Sequence, residues 1–230
     1  MDELLRTYGI ELSFGKASLL DAHLKFVLEK NQHINLTSIT DHESALVLHV
    51  LDSLLVLPEV ETAPAGALLD MGSGAGYPGL PLAVATQRKT TLLDARKKKI
   101  LVLQEFLARY PELSFCTAAS GRAEEFAREH REGYALVTAR ALASLASLVE
   151  LASPLLPIGG QLIALKGQLS GVERASAEKL QNATGMVLKN HRAYSLPSGE
   201  HREVVVYEKM KPAQIELPRQ AGRAQRSPLV

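Results

Sequence analysis

A run of alternating glycines between two carboxylates marks where this chain could do chemistry. The stretch Leu68–Pro81 reads LLDMGSGAGYPGLP. Leu68 and Leu69 end a short apolar run of the kind that forms a strand covered on both faces. Asp70 follows at the strand's carboxyl end, and Gly72, Gly74 and Gly76 then alternate with small residues. Such a turn lets the backbone adopt positive φ and approach a ligand closely. Pro78 and Pro81 suit the first turn of a helix, whose free N–H groups favour a ligand carboxylate or phosphate. Asp94 ends the next apolar run, roughly 20 residues beyond Gly72. Its carboxylate could accept hydrogen bonds from both hydroxyls of a ribose, or cap the helix beginning near Lys97. The dinucleotide fingerprint needs glycines at positions one, three and six. The sixth position from Gly72 is Tyr77, so that fingerprint fails.

Arg140 and Lys166 each end a later apolar run, at the same sheet edge as the glycine turn. Either could donate to a base carbonyl or a phosphate. The alternative for each is a pair with a neighbouring carboxylate, for instance Arg140 with Glu124. His49, Asp52 and Ser53 lie three and four residues apart on one helix, where a local His–Asp hydrogen bond is the simplest reading and favours a structural role for Asp52. Two such ligands without a third make a metal site unexpected. The single cysteine, Cys116, excludes an internal disulfide and reads as an inert core residue in the run Leu113–Ala118. The run Ala95–Lys99, ARKKK, and Arg219, Arg223 and Arg226 near the C-terminus supply local positive charge of the sort a nucleic-acid backbone needs. A lysine run is, however, ordinarily a solvated helix face.

These groups need a scaffold. The 230 residues are 46% hydrophobic with a formal net charge of +1, so bulk charge points to no polyanion. No run of 18 uninterrupted apolar residues occurs, and MDELLRTYGI has no long apolar core, so neither a membrane span nor a secretory leader is expected and a cytoplasmic chain is. Residues 1–60 read as a helical N-terminal extension. Leu20, Leu24, Val27 and Leu28 line one face, and Thr40 with Glu43 has capping-box spacing for a helix carrying Val47, Val50, Leu51 and Leu54. From Ala67, apolar runs (Ala67–Asp70, Thr90–Ala95, Leu113–Ala118, Tyr134–Ala139 and Gln161–Lys166) alternate with helical segments. That order predicts an α/β fold with a mostly parallel sheet, helices on both faces, and a core over residues 61–210. Met186–Tyr194 and Arg202–Met210 flank LPSGE and predict an antiparallel hairpin at one edge. Residues 211–230, with Pro212, Pro218 and Pro228, read as a flexible basic tail that orders on contact with RNA or across the ligand mouth.

Asp-x-Gly-x-Gly-x-Gly followed by an acidic end to strand two resembles the class I S-adenosylmethionine-dependent methyltransferases, which have a Rossmann-like sheet. The series NLTSITDHESALVLHVLDSLLV, LLDMGSGAGYPGLPLAV, LLDARKKKILVLQEF, GRAEEF, VTARALASL and ALKG is similar, in order, to the glucose-inhibited division protein B family. Those proteins are bacterial 16S ribosomal RNA guanine-N7 methyltransferases, and the likeness covers nearly the whole chain. It implies S-adenosyl-L-methionine as cofactor, 16S ribosomal RNA or the small ribosomal subunit as partner, and a monomer. By motif it implies that Gly72, Gly74, Tyr77, Asp94 and Ala95 contact the cofactor, that Ala123 and Glu124 flank its adenine, and that Arg140 lies at the methyl-transfer end. It also places Asn35 and His49 at the mouth of the active site as substrate contacts. Arg140 and Lys166 are the expected catalytic residues. Guanine N7 has an in-plane lone pair and no proton, so such a reaction needs alignment and no general base. A chain that only binds RNA on this fold, a methyltransferase for another RNA, and a nicotinamide-dependent reductase are the other readings. The misplaced third glycine and the lack of a substrate domain count against the reductase.

Overall fold

The alternation of apolar runs and helical segments resolves into a single seven-stranded sheet. The structure, a computed structural model, describes residues 1–229. Its strands are β1 (Leu68–Met71), β2 (Thr90–Asp94), β3 (Cys116–Ser120), β4 (Leu136–Arg140), β5 (Gln161–Lys166), β6 (Met186–Ser195) and β7 (His201–Lys209). Their order is β3-β2-β1-β4-β5-β7-β6. The first five run parallel, and β7 inserts antiparallel between β5 and β6. β1 is buried along its whole length and apolar except for Asp70, as a strand covered by helices on both faces must be. Chain order reverses between β1 and β4, so the crevice beyond their carboxyl ends is where an open α/β sheet takes its ligand.

The N-terminal part is helical: α1 (Asp2–Thr7), α2 (Phe14–Asn31), α3 (His42–Ala45), a π-helical turn over Leu46–Leu51, α4 (Asp52–Leu54) and α5 (Leu57–Thr62). Ser13 caps α2 by accepting from the Lys16 amide. The expected Thr40–Glu43 capping box is displaced by one residue. Asp41 caps α3 instead, accepting from the Ser44 amide at 2.8 Å. Leu20, Leu24, Val27, Val50, Leu51 and Leu54 share one hydrophobic cluster with Leu80, Val84, Leu103 and Phe106. The latter belong to α6 (Gly79–Thr86) and α7 (Lys97–Arg109), which cover one face of the sheet. The other face carries α8 (Ala123–Glu129), α9 (Leu145–Ala152), α10 (Gly171–Lys179) and α11 (Gln181–Thr184).

Two further expectations need correction. The third strand starts at Cys116, not Leu113, because Pro111–Leu113 forms a tight 3-10 turn that buries Leu113 before pairing with β2 begins. Cys116 itself is buried, and burial pushes its thiol up to about 12. The C-terminal segment is also no free tail. Leu217 and Ala224 are buried, the latter in the short α12 (Arg223–Arg226). Arg219 is bidentate to the buried carboxylate of Glu150, both contacts at 2.6 Å. A basic, proline-rich composition reads as a linker, but one buried acid on α9 gives its first arginine a partner. Val230 lies outside the described residues.

Candidate active site

The glycine turn is built by its two carboxylates. Asp70 is fully buried at the end of β1 and accepts the Gly79 amide at 2.9 Å and the Thr138 hydroxyl at 2.8 Å. It therefore ties β4 and the start of α6 to β1 and presents nothing to a ligand. Burial pushes its carboxyl up to about 6, against the pull of those two hydrogen bonds. Asp94 is half-buried at the end of β2 and accepts the Gly74 amide at 2.9 Å and the Arg96 amide at 2.7 Å. It does not cap α7, whose N-cap position is Arg96 with no side-chain cap bond. Gly72, at φ +81°, passes so close to Leu142 that a Cβ would stand 2.7 Å from its Cδ1.

A cavity of about 640 Å³ opens over this turn, beyond the carboxyl ends of β1, β2 and β4. Gly72, Gly74, Tyr77, Asp94, Ala95 and Arg140 all line it, as does His49. Ala123 and Glu124 stand around a pocket of about 40 Å³ that adjoins it and shares Gly72, Asp94 and Arg122. A second cavity, about 420 Å³, meets the first at Thr37, His49, Arg140 and Ala141. Lys166 lines this second cavity. Asn35 lines none of the three and is exposed. The loop's ordering residue is Asn31, whose side chain bonds Leu36 and Thr37 and leaves Asn35 outside.

The second cavity is walled by an ionic cluster that spacing did not reveal. Buried Asp52 accepts Arg140 Nη1 at 3.1 Å, Arg202 Nε at 3.2 Å and the Tyr194 hydroxyl at 3.0 Å. Arg140 also donates to the Leu48 carbonyl at 3.0 Å. The alternative pairing of Arg140 with Glu124 does not form, because Glu124 accepts the Gly222 amide at 2.6 Å. Lys166 meets Glu173 at 2.9 Å and donates to the Ala143 carbonyl at 2.9 Å. The local His49–Asp52 hydrogen bond is also absent among the described contacts. His49 Nε2 instead bonds the Thr37 hydroxyl at 2.9 Å, and its ring stacks on Tyr77 at 4.6 Å. Of the basic run, Lys97 and Lys98 are exposed, whereas Lys99 reaches back to the Leu36 carbonyl and lines the large cavity. Arg202, Leu142, Thr37 and Gln225 are site residues that the sequence reading missed. None sits in a glycine motif or at the end of a parallel strand.

Two histidines beside the turn are held neutral. Burial drives His23 down to about 3, and burial with the Arg140 charge drives His49 down to about 4. As pH falls below the ordinary value near 6.5, the unfolded chain takes up protons that the native chain refuses, so stability falls. Asp70 acts oppositely, since its native carboxyl keeps a proton that the unfolded chain releases. His23→Phe should therefore change stability relative to the parent by up to about 1.4 kcal/mol per pH unit between pH 6 and 4, favouring the variant at acid pH. Urea unfolding at stepped pH measures it. A difference independent of pH would mean that His23 titrates normally.

The chain matches the family model described as rRNA small subunit methyltransferase G over residues 16–204. It is 36% identical to the ribosomal RNA small subunit methyltransferase G of Levilactobacillus brevis, covering 98% of this chain and 96% of that protein. The protein of the same name from Ligilactobacillus salivarius is also 36% identical, over 96% of this chain and 94% of the relative. Among solved structures, an O-methyltransferase from Bacillus cereus in complex with SAH superposes with a TM-score of 0.60 at 16% identity, over 90% of this chain and 96% of that one. The antibiotic-resistance methyltransferase Kmr superposes with a TM-score of 0.53 at 16% identity, over 67% of this chain and 92% of its own. These structural likenesses speak for the fold: a class I methyltransferase sheet.

Proposed function

The chain belongs to the rRNA small subunit methyltransferase G family, and on that premise we propose that its two joined cavities bring a methyl donor and one guanine of 16S ribosomal RNA together at Arg140. The protein is an S-adenosyl-L-methionine-dependent rRNA methyltransferase. The residues of the large cavity fit that donor. The glycine turn is open to it, Asp94 offers its remaining lone pairs to a ribose, and Ser73 Oγ and Tyr77 Oη are buried polar atoms without a hydrogen-bond partner. Gly72, Gly74, Tyr77, Asp94, Ala95 and Arg140 would hold the donor, with Ala123 and Glu124 at its adenine end.

The bound donor supplies an electrophilic methyl group on a positively charged sulfur. The protein's share is alignment. Guanine N7 brings its own lone pair, so no side chain has to remove a proton. Holding nucleophile and methyl carbon in line can be worth roughly 7–11 kcal/mol. The methylated base gains positive charge, so a cation is useful at O6 or a phosphate and costly near N7. Arg140 is fixed by Asp52 and the Leu48 carbonyl, and it lies with its guanidinium 5.8 Å from the Tyr77 ring centre, at the junction of the cavities. It is assigned to orient the base from the O6 side. Lys166, steadied by Glu173, supplies a second donor from across the cavity. Neutral His49 would contact substrate at the mouth, and Asn35 only RNA outside the base pocket. We assign residues 1–60 to a helical extension, 61–210 to the catalytic core and 211–230 to a basic C-terminal segment. Among the described residues no helix is long and apolar enough to cross a membrane; a cytoplasmic monomer is the state we propose.

The single observation that carries this reading is the meeting of a glycine-floored cavity and an arginine-walled one at Arg140. Incubation with methyl-labelled S-adenosylmethionine and small subunits lacking modification should place label at N7 of one guanine. Label on another RNA atom or on a protein would overturn the guanine assignment. RNA binding without any transfer would support a non-catalytic binding protein.

A further inference from the structure

We propose that the C-terminal segment is part of the cofactor site, capping its adenine end, with Gln225 as the residue that reads the adenine edge. The inference rests on the cofactor reading above. Four tethers fix the segment to α8, α9 and the turn that follows α8. Arg131 donates twice to the Leu217 carbonyl at 2.8 Å, Arg219 grips Glu150, the Ser147 hydroxyl donates to the Ala224 carbonyl at 2.8 Å, and the Gly222 amide donates to Glu124. Glu150 and Ser147 are buried, so these are built contacts and no surface accident.

Their effect is to set Gln225 on the rim of both the large cavity and the small pocket bordered by Ala123 and Glu124. Arg122 Nη1 holds its carboxamide oxygen at 3.4 Å. A carboxamide offers a donor and an acceptor side by side, the complement of an adenine amino group and its neighbouring ring nitrogen. Glu124 serves both parts, because the carboxylate beside the adenine pocket is the one that receives the Gly222 amide. A ligand that settles Glu124 also settles the segment, so cofactor binding and docking of the cap stabilise each other.

The test uses the full chain, S-adenosylhomocysteine and adenosine as probes, and trypsin, for which Arg223 and Arg226 are exposed sites. Saturating S-adenosylhomocysteine should slow cleavage after these arginines at least tenfold. Gln225→Ala, an exposed position, should weaken both probes about tenfold by calorimetry, the value of one or two neutral hydrogen bonds. Tight binding of S-adenosylhomocysteine to the parent, with Gln225→Ala within twofold of it and trypsin cleavage unaffected by ligand, overturns the cap and leaves the cofactor reading intact. Failure of the parent chain to bind S-adenosylhomocysteine overturns both.

Discussion

Asp94→Ala is expected to cut affinity for S-adenosylmethionine about a hundredfold while leaving the fold in place. The argument is one of hydrogen-bond inventory. An ionised carboxylate has about four acceptor sites. Two are used, by the Gly74 and Arg96 amides, and these fix the side chain's direction at the floor of the cavity. Asp94 lines the cavity, so a ribose diol there could donate to the remaining two. Hydrogen bonds to a charged acceptor contribute about 1.5–3 kcal/mol each. Loss of both, softened by water that replaces them, leaves roughly 3 kcal/mol, or two powers of ten in the dissociation constant. Asp94→Asn keeps one acceptor and should lose about tenfold. The alanine variant also gives up the bonds to the Gly74 and Arg96 amides, which water can replace at this half-buried position, so it should lose roughly 1–3 kcal/mol of stability and stay folded. Calorimetric titration settles it: unchanged affinity in Asp94→Ala removes the ribose role.

The groups that sequence reading found and those it missed differ in how far apart along the chain their partners lie. Strand β5 begins and ends, and helix α7 begins, where the pattern predicts, because each shows an uninterrupted period. The glycine turn was legible for the same reason: its glycines and Asp94 follow local strand ends. Asp52 was not. Its partners Tyr194 and Arg202 come from the terminal hairpin, and they reach it only because β7 folds back beside β5. A one-dimensional pattern shows a His–Asp spacing on a helix and carries nothing about a strand more than a hundred residues away. The π-helical turn at Leu46–Leu51 adds to the difficulty, since it departs from the 3.6-residue period used to decide which side chains share a face. The C-terminal segment failed for a related reason. Its arginines read as nucleic-acid-binding charge on a flexible tail until Glu150, on a helix some seventy residues earlier in the chain, supplies Arg219 with a buried counter-charge.

Gly79→Ala is expected to destabilise the chain by about 3–5 kcal/mol, more than any other single methyl addition in the turn region. Gly79 lies outside the alternating glycines and its conformation needs no special φ, so sequence alone gives it no weight. Its surroundings do. A Cβ there would stand 2.4 Å from Asp70 Cβ and 2.5 Å from Leu92 Cδ2. Asp70 Cβ is fixed to the central strand and Leu92 is fully buried, so neither can yield by rotating a free end into solvent. The helix α6 must move away instead, and that stretches the Gly79 amide from the Asp70 carboxylate. Overpacking of this kind costs about 1–3 kcal/mol, and a strained hydrogen bond to a buried charge adds a comparable amount. Against a total stability of about 5–15 kcal/mol, the melting temperature should fall by roughly 10 °C or more. Gly121→Ala is the control, since its nearest neighbour would be Leu93 Cδ1 at 4.0 Å, an ordinary contact. Equal melting temperatures for the two variants would show that Asp70 and α6 can part without loss. A selective fall at Gly79 would establish that the carboxylate opening the glycine motif serves to seat the helix behind it, while Asp94 faces the ligand.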